Sequence, residues 1–155
     1  MKRILWLLCI ILGSACAQAA EPERWVVYYT DKLPASAFEA FDVIAFDSEH
    51  HPDIAPLKAK GKMVLGYISL GEAEKYRSYF NTIKERKLLL GKSDLWKGHY
   101  YIDVRKKEWT QMVLNELIPP ILEQGFDGIM IDTIDSVIEP EIQAPEKYAG
   151  MKQGA

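Results

Sequence analysis

The amino-acid sequence predicts an α/β fold, namely the first part of a (β/α)8 barrel of the TIM type. Five short apolar segments alternate with helix-like segments along the chain, and strands that alternate with helices form parallel sheets with right-handed crossovers. The apolar segments are almost continuously hydrophobic, as expected when both faces of a sheet are covered. Several of them end in an acidic or aromatic residue, which suits a barrel mouth lined by many strands.

The first half of the chain supplies three of the predicted strands and two short helices. β-branched and aromatic residues favour the strands, while Pro52 and Gly61 are typical of the start and stop of a helix. The predicted strands cover residues 25–30, 42–47 and 63–69, and the predicted helices cover residues 34–41 and 52–60.

The second half contains the longest predicted helix between two further strands. Residues 100–104 form the fourth predicted strand, residues 108–124 the helix and residues 128–132 the fifth strand. Pro119 and Pro120 should kink the helix or split it, because proline lacks a backbone N–H and clashes with the preceding turn. The tail after residue 140 is predicted to be loop-like, without a closing strand.

A doubly wound open sheet is the alternative architecture. No glycine-rich phosphate loop follows the first strand, which argues against a nucleotide-binding fold of that kind. An open five-stranded sheet would also leave two apolar edges, which native proteins avoid. A complete barrel usually takes about 250 residues. We therefore expect residues 25–155 to be the N-terminal part of a barrel domain, with about five of its eight strands.

Residues 1–19 are predicted to be a secretory signal peptide. Lys2 and Arg3 precede an apolar run at 4–12 that is too short to span a bilayer, and the small residues Ala17 and Ala19 match a small-x-small cleavage site. We therefore expect export to the periplasm or the extracellular space, without stable membrane insertion after cleavage. Lipidation at Cys16 is the alternative, although the usual Leu is absent three positions before it.

The composition narrows the possible partners and cofactors. The formal net charge of −3 gives no electrostatic reason to expect a nucleic acid. Cys9 and Cys16 are the only cysteines, and cleavage of the signal peptide would remove both. His50 and His51 are residues of a type that binds metals, but adjacent ligands in a loop form a poor chelate. We expect neither a metal site nor a cofactor.

The candidates for chemistry are carboxylates and aromatic rings at the strand ends. Asp132 ends the fifth strand and Asp135 follows three residues later, and the carboxyl ends of parallel strands open onto the ligand site. We expect both acids at the mouth of a pocket. The alternative is that one caps the next helix while the other is a solvated loop acid. No nucleophile elbow for a Ser-His-Asp arrangement is present.

Paired carboxylates with aromatic neighbours favour glycoside cleavage, in which one acid protonates the leaving oxygen while another attacks or stabilises the sugar carbon. Tyr28 and Tyr67 could face the sugar, but either could equally be a core residue. Gly71 allows Glu72 to turn inward, unless it is a helix N-terminal acid. Asp103 follows the fourth strand, and the alternative is that it simply pairs with its neighbour Arg105.

Three segments together resemble glycoside hydrolase family 114. Residues 65–79 are similar to its third-strand motif, residues 101–109 to its fourth-strand segment, and residues 125–136 to its GFDG…D..D motif. The resemblance implies a (β/α)8-barrel endo-α-1,4-polygalactosaminidase, like the hydrolase domain of exported hydrolase/deacetylase proteins that act on the Pel biofilm polysaccharide. The implied substrate is a galactosamine-rich, partly deacetylated and therefore cationic polymer, which suits an acidic cleft.

The resemblance also implies roles for individual residues. Asp132 matches the strand-end nucleophile of a retaining mechanism, and the acid/base Glu is expected on a later strand than this chain contains. Activity of the 155-residue chain itself is therefore left open, with a non-catalytic carbohydrate-binding barrel, an inactive fragment or a different enzyme on the same scaffold as alternatives. The predicted substrate-binding residues are Tyr28, Asp47, Tyr67, Glu72, Asp103 and Asp135.

Overall fold

The structure is a computed structural model that describes residues 24–154, so the predicted leader lies outside the described residues. It contains a four-stranded parallel sheet and a smaller three-stranded antiparallel sheet. The strands are β1 Trp25–Tyr28, β2 Val43–Asp47, β3 Met63–Ser69, β4 Glu72–Glu74, β5 Leu89–Lys92, β6 His99–Ile102 and β7 Gly128–Asp132. No helix within the described range has the length and apolar character needed to cross a membrane.

Short helical segments connect the strands. Most contain only one or two turns, because prolines and glycines interrupt the helical stretches of the sequence. The α-helices are α1 Ala55–Ala59, α2 Phe80–Glu85, α3 Lys107–Met112, α4 Ile118–Glu123, α5 Ile138–Gln143, α6 Pro145–Tyr148 and α7 Met151–Gly154. Two 3₁₀ turns cover Ala35–Phe38 and Asp135–Val137, and a π-helical turn covers Val113–Leu117.

The parallel sheet has the strand order β1-β2-β3-β7, and all three of its pairings are parallel. The carboxyl ends of its strands therefore lie along one edge. Asp47 at the end of β2 pairs with Tyr67 of β3, and Ser69 at the end of β3 pairs with Asp132 of β7. This sheet is the α/β parallel arrangement that the sequence predicts.

The prediction that residues 100–104 form the fourth strand of the parallel sheet is wrong. These residues form most of β6, which lies between β4 and β5 in the antiparallel sheet. Parallel neighbours need a long crossover connection, whereas β4 begins only a few residues after β3 and β6 returns beside it. β7 takes the place next to β3, so the parallel sheet has four strands rather than five.

The long helix predicted at 108–124 is split, as expected from its two prolines. A π-helical turn over Val113–Leu117 separates α3 from α4, and the prolines occupy the first turn of α4. A missing N–H is harmless at that position, because the first N–H groups of a helix have no partner within the helix.

The tail is helical rather than loop-like, which corrects the prediction for the region after residue 140. Pro145 is the first residue of α6, where its fixed φ suits a helix start. Met151 of α7 is completely buried in the core with Val137. The tail folds because this apolar contact stabilises helices that are too short to be stable alone.

The hydrophobic core lies between the parallel sheet and its helices. Ile44, Phe46 and Val64 from the strands are fully buried there. A Cβ atom at Gly66 would lie 2.2 Å from the side chain of Ile121, so the absence of a side chain lets α4 pack directly on β3. The opposite face of the sheet remains available for the polar groups at the strand ends.

Candidate active site

One face of the parallel sheet collects polar side chains at its carboxyl edge. Residues two apart in a strand share a face, and the register pairs Asp47 with Tyr67 and Ser69 with Asp132. These four residues therefore lie on the same face, while α4 covers the other. The alternation of the strands thus brings a tyrosine and two acids, distant in sequence, into one site.

The carboxylate of Asp132 is held by two hydrogen bonds. Its Oδ2 atom accepts a hydrogen bond from the Tyr67 hydroxyl over 3.0 Å, and Oδ1 accepts one from the backbone N–H of Thr133 over 2.8 Å. Burial, followed by the negative charges of Glu74 and Asp132, raises the pKa of Tyr67. Tyr67 consequently stays protonated and remains a donor at neutral pH.

Thr133 follows Asp132 with a backbone conformation that is uncommon for a β-branched residue. Its φ is 61°, in the left-handed region. Its Oγ1 atom accepts hydrogen bonds from the backbone N–H groups of Gly71 at 2.9 Å and Glu72 at 3.2 Å, and lies 2.7 Å from the hydroxyl of Ser69. These contacts tie the end of β7 to the turn after β3 and hold the strained backbone, which orients Asp132.

Arg77 carries a buried guanidinium group between two buried carboxylates. Its Nη atoms lie 3.0 Å and 2.8 Å from the two carboxylate oxygens of Asp47. Nε and Nη2 donate to Glu74 over 3.2 Å and 3.0 Å. Burial alone would lower the pKa of Arg77, but hydrogen bonds and charges from Glu74 and Asp47 raise it overall. Arg77 thus remains positively charged and neutralises one of the two acids.

An open cleft of about 470 Å³ lies over Asp132. Aromatic rings form much of its wall: Tyr29, Tyr76 and Trp96 are 51%, 61% and 61% exposed. Tyr29 meets Tyr67 edge to face, with ring centroids 5.0 Å apart, and Arg77 lies over both Tyr67 and Tyr76. Apart from Leu95, the residues lining the cleft are aromatic or polar: Tyr29, Tyr67, Glu74, Tyr76, Trp96, His99, Asp132, Thr133, Asp135 and Ser136.

A larger cavity of about 580 Å³ lies between the loop after β2 and α4, and Asp132 does not line it. It shares Tyr67 and Tyr76 with the cleft. Because its other polar lining residues include surface groups that already bond one another, such as Glu49 with Ser78, we take the smaller cleft over Asp132 as the candidate site.

Among residues 24–154, no group of three or more His, Cys, Asp or Glu side chains is arranged to hold a metal ion.

The structure brings together three of the residues predicted for the site. Asp132, Tyr67 and Asp135 all line the cleft. Asp47 lies beneath it, 1% exposed and bound to Arg77. It also accepts hydrogen bonds from the backbone N–H groups of Glu49 and His50, so it orders both Arg77 and the loop that follows β2.

The other three predicted residues lie away from the cleft surface. Tyr28 packs in the core with its ring centroid 5.0 Å from that of Phe38. Glu72 is completely buried under the cleft wall. Asp103 binds the guanidinium of Arg105 through both oxygens, at 2.7 Å and 2.9 Å. This hydrogen bonding lowers the pKa of Asp103, and it is the alternative pairing that the sequence suggests.

Sequence reasoning missed Tyr29, Arg77 and Trp96, of which Tyr29 and Trp96 line the cleft. Tyr29 could have been found from the alternation of side chains, because it falls on the same face as Asp47 whereas Tyr28 falls on the other. Arg77 lies on the turn after β4, and no local signal indicates that its partner is Asp47. Trp96 belongs to the loop of a hairpin formed by β5 and β6, whose position depends on tertiary packing.

The arrangement combines an oriented carboxylate with an aromatic wall. A carboxylate in this position can attack the anomeric carbon of a sugar or stabilise positive charge on it. Aromatic faces offer apolar surface with polar edges for a ligand that has both apolar and hydroxyl-bearing sides. The cleft thus has groups suited to carbohydrate binding and to one half of glycoside cleavage.

Comparison with known proteins supports this chemistry. The family described as glycoside-hydrolase family GH114 has a model that matches residues 13–153. An uncharacterized protein of Methanocaldococcus jannaschii is 36% identical over 86 residues, covering 54% of this chain and 25% of that protein. An uncharacterized protein of Thermotoga maritima is 27% identical over 159 residues, covering 88% of this chain and 49% of that protein. The chain thus spans about half the length of these relatives or less.

Two solved structures show the same fold at low sequence identity. The glycoside hydrolase domain of PelA from Pseudomonas aeruginosa has a TM-score of 0.70 and 20% identity, covering 86% of this chain and 52% of that chain. Ega3 from Aspergillus fumigatus, solved in complex with galactosamine, has a TM-score of 0.65 and 21% identity, covering 74% and 45%. The matched domains are TIM barrels, so the predicted fold class is confirmed, as part of a barrel.

Proposed function

The chain belongs to glycoside hydrolase family GH114, and on this basis we propose that it contributes the nucleophile of an endo-acting hydrolase of α-1,4-linked, galactosamine-rich polysaccharide. The observation that carries the proposal is the carboxylate of Asp132. It lies at the carboxyl end of β7, its two oxygens are held by Tyr67 and Thr133, and it lines an aromatic cleft. Strand ends of this kind are where barrel enzymes place their catalytic residues.

In the proposed retaining mechanism, an oxygen of Asp132 attacks the anomeric carbon of the bound sugar. The bond between that carbon and the leaving sugar's oxygen breaks, and the oxygen takes a proton from the acid/base residue. Water then attacks the anomeric carbon and gives a proton to the same residue, and the bond to Asp132 breaks. The Tyr67 hydroxyl stabilises the carboxylate that is released, because its hydrogen bond to Oδ2 strengthens as negative charge returns.

The proton donor is proposed to be the Glu that the family resemblance assigns to a later strand. Glu74 lines the cleft, but both of its oxygens are bound to Arg77. Asp135 is exposed on the 3₁₀ turn after β7. We therefore give neither residue the acid/base role, and we propose that Asp135 binds the substrate together with Tyr67.

An amine-bearing sugar fits the charges of the site. Arg77 offsets only one of the two acids that it contacts, and Asp132 and Asp135 add further negative charge to the cleft lining. The complex of Ega3 with galactosamine is consistent with such a ligand. Because a polymer of this kind lies outside the cell, we also propose that residues 1–19 export the protein to the periplasm or beyond.

The test is cleavage of α-1,4-linked galactosamine oligosaccharides by the full-length protein that also supplies the later-strand Glu, followed by mass spectrometry of the products. We expect Asp132→Asn to lower the cleavage rate at least about a thousandfold, as loss of a nucleophile does, with unchanged circular dichroism. Asp42→Asn is the matched control, because Asp42 precedes β2 at the other end of the sheet. Its carboxylate makes partly exposed ion pairs and one exposed hydrogen bond, and ion pairs of this kind contribute little.

The outcomes separate the proposal from its alternatives. Full activity of Asp132→Asn would overturn the assignment of the nucleophile. Binding of the oligosaccharide without cleavage, in the unmodified protein and both variants, would instead favour a carbohydrate-binding barrel. Neither binding nor cleavage by a folded protein would overturn the proposed substrate.

A further inference from the structure

Glu72 is a completely buried acid whose two oxygens bind different side chains. Oε1 accepts a hydrogen bond from the hydroxyl of Ser93 over 3.1 Å, and Oε2 lies 3.0 Å from Nδ1 of His99. A buried carboxylate is costly unless donors satisfy it, and an ionised carboxylate can only accept hydrogen bonds. If Glu72 is ionised, Nδ1 of His99 carries the proton of this contact and donates it to Glu72.

The register of the antiparallel sheet explains how these residues meet. Glu72 pairs with Tyr101 and Glu74 pairs with His99, so Glu72 and His99 are diagonal neighbours on one face of the sheet. That face forms a wall of the cleft, because Glu74 and His99 both line it with Asp132. Glu72 lies beneath this wall, and His99 lies at its surface with its side chain 24% exposed.

The second ring nitrogen of His99 is available to a ligand. Among the described residues, Nε2 of His99 makes no hydrogen bond, whereas Nδ1 is committed to Glu72. His51 provides a contrast, because its Nδ1 contacts the carbonyl of Pro52 at 2.8 Å and its Nε2 contacts Gln124 at 2.9 Å. Protein groups thus occupy both nitrogens of His51, which makes it a structural histidine, while His99 keeps one nitrogen for the cleft.

We propose that His99 is a substrate-binding residue whose Nε2 accepts a hydrogen bond from a hydroxyl or amino group of the bound sugar, and that Glu72 is its positioning residue. Glu72 acts by holding the proton on Nδ1, which leaves Nε2 as the acceptor. The ring of Trp96, with its centroid 6.3 Å from that of His99, provides an aromatic surface beside this contact. The inference rests on the proposed function, because it takes the cleft over Asp132 as the sugar site.

The first test is nitrogen NMR of the full chain labelled with ¹⁵N-histidine, at pH 7 and without ligand. Spectra of His99→Asn identify the His99 signals. We expect a proton on Nδ1 and none on Nε2. A bare Nδ1, or protons on both nitrogens, would overturn the proposal whatever the protein binds.

The second test is calorimetric binding of α-1,4-linked galactosamine oligosaccharides. His99→Asn should weaken binding roughly three- to tenfold, the effect of losing one hydrogen bond. Asparagine keeps a donor near the position of Nδ1 for Glu72 and removes the outward nitrogen. His50→Gln is the control, because His50 is an exposed histidine that does not line the cleft.

Matched galactose oligosaccharides show which group of the sugar donates the hydrogen bond to His99. An equal effect of His99→Asn on both ligands indicates a hydroxyl group, and an effect only on the amino sugar indicates the amine.

Glu72→Gln tests the positioning role. It should mix the two tautomers of His99 in the NMR spectrum and weaken binding in the unmodified background, but cause no further loss when His99 is already Asn. If the losses of affinity from Glu72→Gln and His99→Asn add up in the double variant, Glu72 only stabilises the sheet and does not act through His99. Equal binding by His99→Asn and the unmodified protein would overturn the inference and leave the proposed function standing, whereas no binding by any folded variant would overturn both.

Discussion

The hydroxyl group of Tyr67 on β3 donates a hydrogen bond to Oδ2 of Asp132 on β7 over 3.0 Å. Tyr67 lies two residues before Ser69, the partner of Asp132 in the sheet register, so the two side chains are diagonal neighbours on one face. The contact joins residues 65 positions apart in the sequence. It makes the orientation of Asp132 depend on the pairing of the two strands.

We expect Tyr67→Phe to slow the proposed cleavage roughly 10- to 100-fold, since a hydrogen bond to a charged group contributes about 1.5–3 kcal/mol. The effect should appear mainly in kcat, because the bond supports Asp132 when negative charge returns to it. Steady-state kinetics of the full-length protein, which also supplies the later-strand Glu, on galactosamine oligosaccharides provide the measurement. Tyr28→Phe is the control, because Tyr28 packs against Phe38 in the core, and equal losses in the two variants would contradict the role of Tyr67.

Gly71→Ala should destabilise the protein, because an added Cβ would lie 2.0 Å from the carbonyl oxygen of Thr133. Thr133 already has a left-handed backbone conformation, and it cannot move away from the added Cβ without losing its hydrogen bonds. We expect a loss of about 1–3 kcal/mol or more in the free energy of unfolding, as for other overpacked sites. Urea denaturation of Gly91→Ala gives the comparison, since a Cβ there meets no atom within 4 Å. Similar stabilities would show that the turn is not tightly packed.

Arg77→Met should be among the most damaging single changes in the chain. It would leave the buried carboxylates of Asp47 and Glu74 without their cation, and breaking a buried ion pair costs about 3–5 kcal/mol. Arg77→Lys should rescue little, because one ammonium group cannot bind both carboxylates in the same geometry. Thermal unfolding of Arg86→Met is the control, since Arg86 pairs with Glu116 at the surface. Comparable effects of the two Met variants would contradict the structural role of Arg77.

Asp103→Asn should flatten the response of stability to acid. Hydrogen bonding to Arg105 lowers the pKa of Asp103 below its ordinary value of 3.8. The ionised form therefore stabilises the folded state above that pH, and this stabilisation is lost as the pH falls through the lower folded-state pKa. Urea midpoints measured between pH 6 and pH 2.5 should converge for the two proteins at the acid end. Asp31→Asn is the control, because Asp31 is exposed and has no ion pair among residues 24–154. Its urea midpoint should fall with pH as steeply as that of the unmodified protein.

Several elements could be predicted from local pattern alone. The strands at 63–69 and 128–132 have the predicted bounds, because a short apolar run between glycine or polar residues is typical of a buried strand. The place of Asp132 at the carboxyl end of a strand predicts that it lies at the mouth of a pocket, and it lines the cleft. The prediction of Tyr28 shows the limit of this reasoning, since a shift of one residue along a strand moves a side chain to the opposite face.

Local sequence pattern was sufficient to predict the four parallel strands, the α/β class, the family and the acid that ends β7, but not β4, β5 or the helices of the tail. The predicted features depend on periodicity and on short motifs, which are local properties of the chain. The antiparallel direction of β6 in a separate sheet, the binding of Arg77 to both Asp47 and Glu74, and the hydrogen bond from Gly71 to Thr133 depend on tertiary packing. Hydrophobic pattern does not encode strand direction, and contacts between residues 30 or more than 60 positions apart form only when packing of the whole domain brings their strands together.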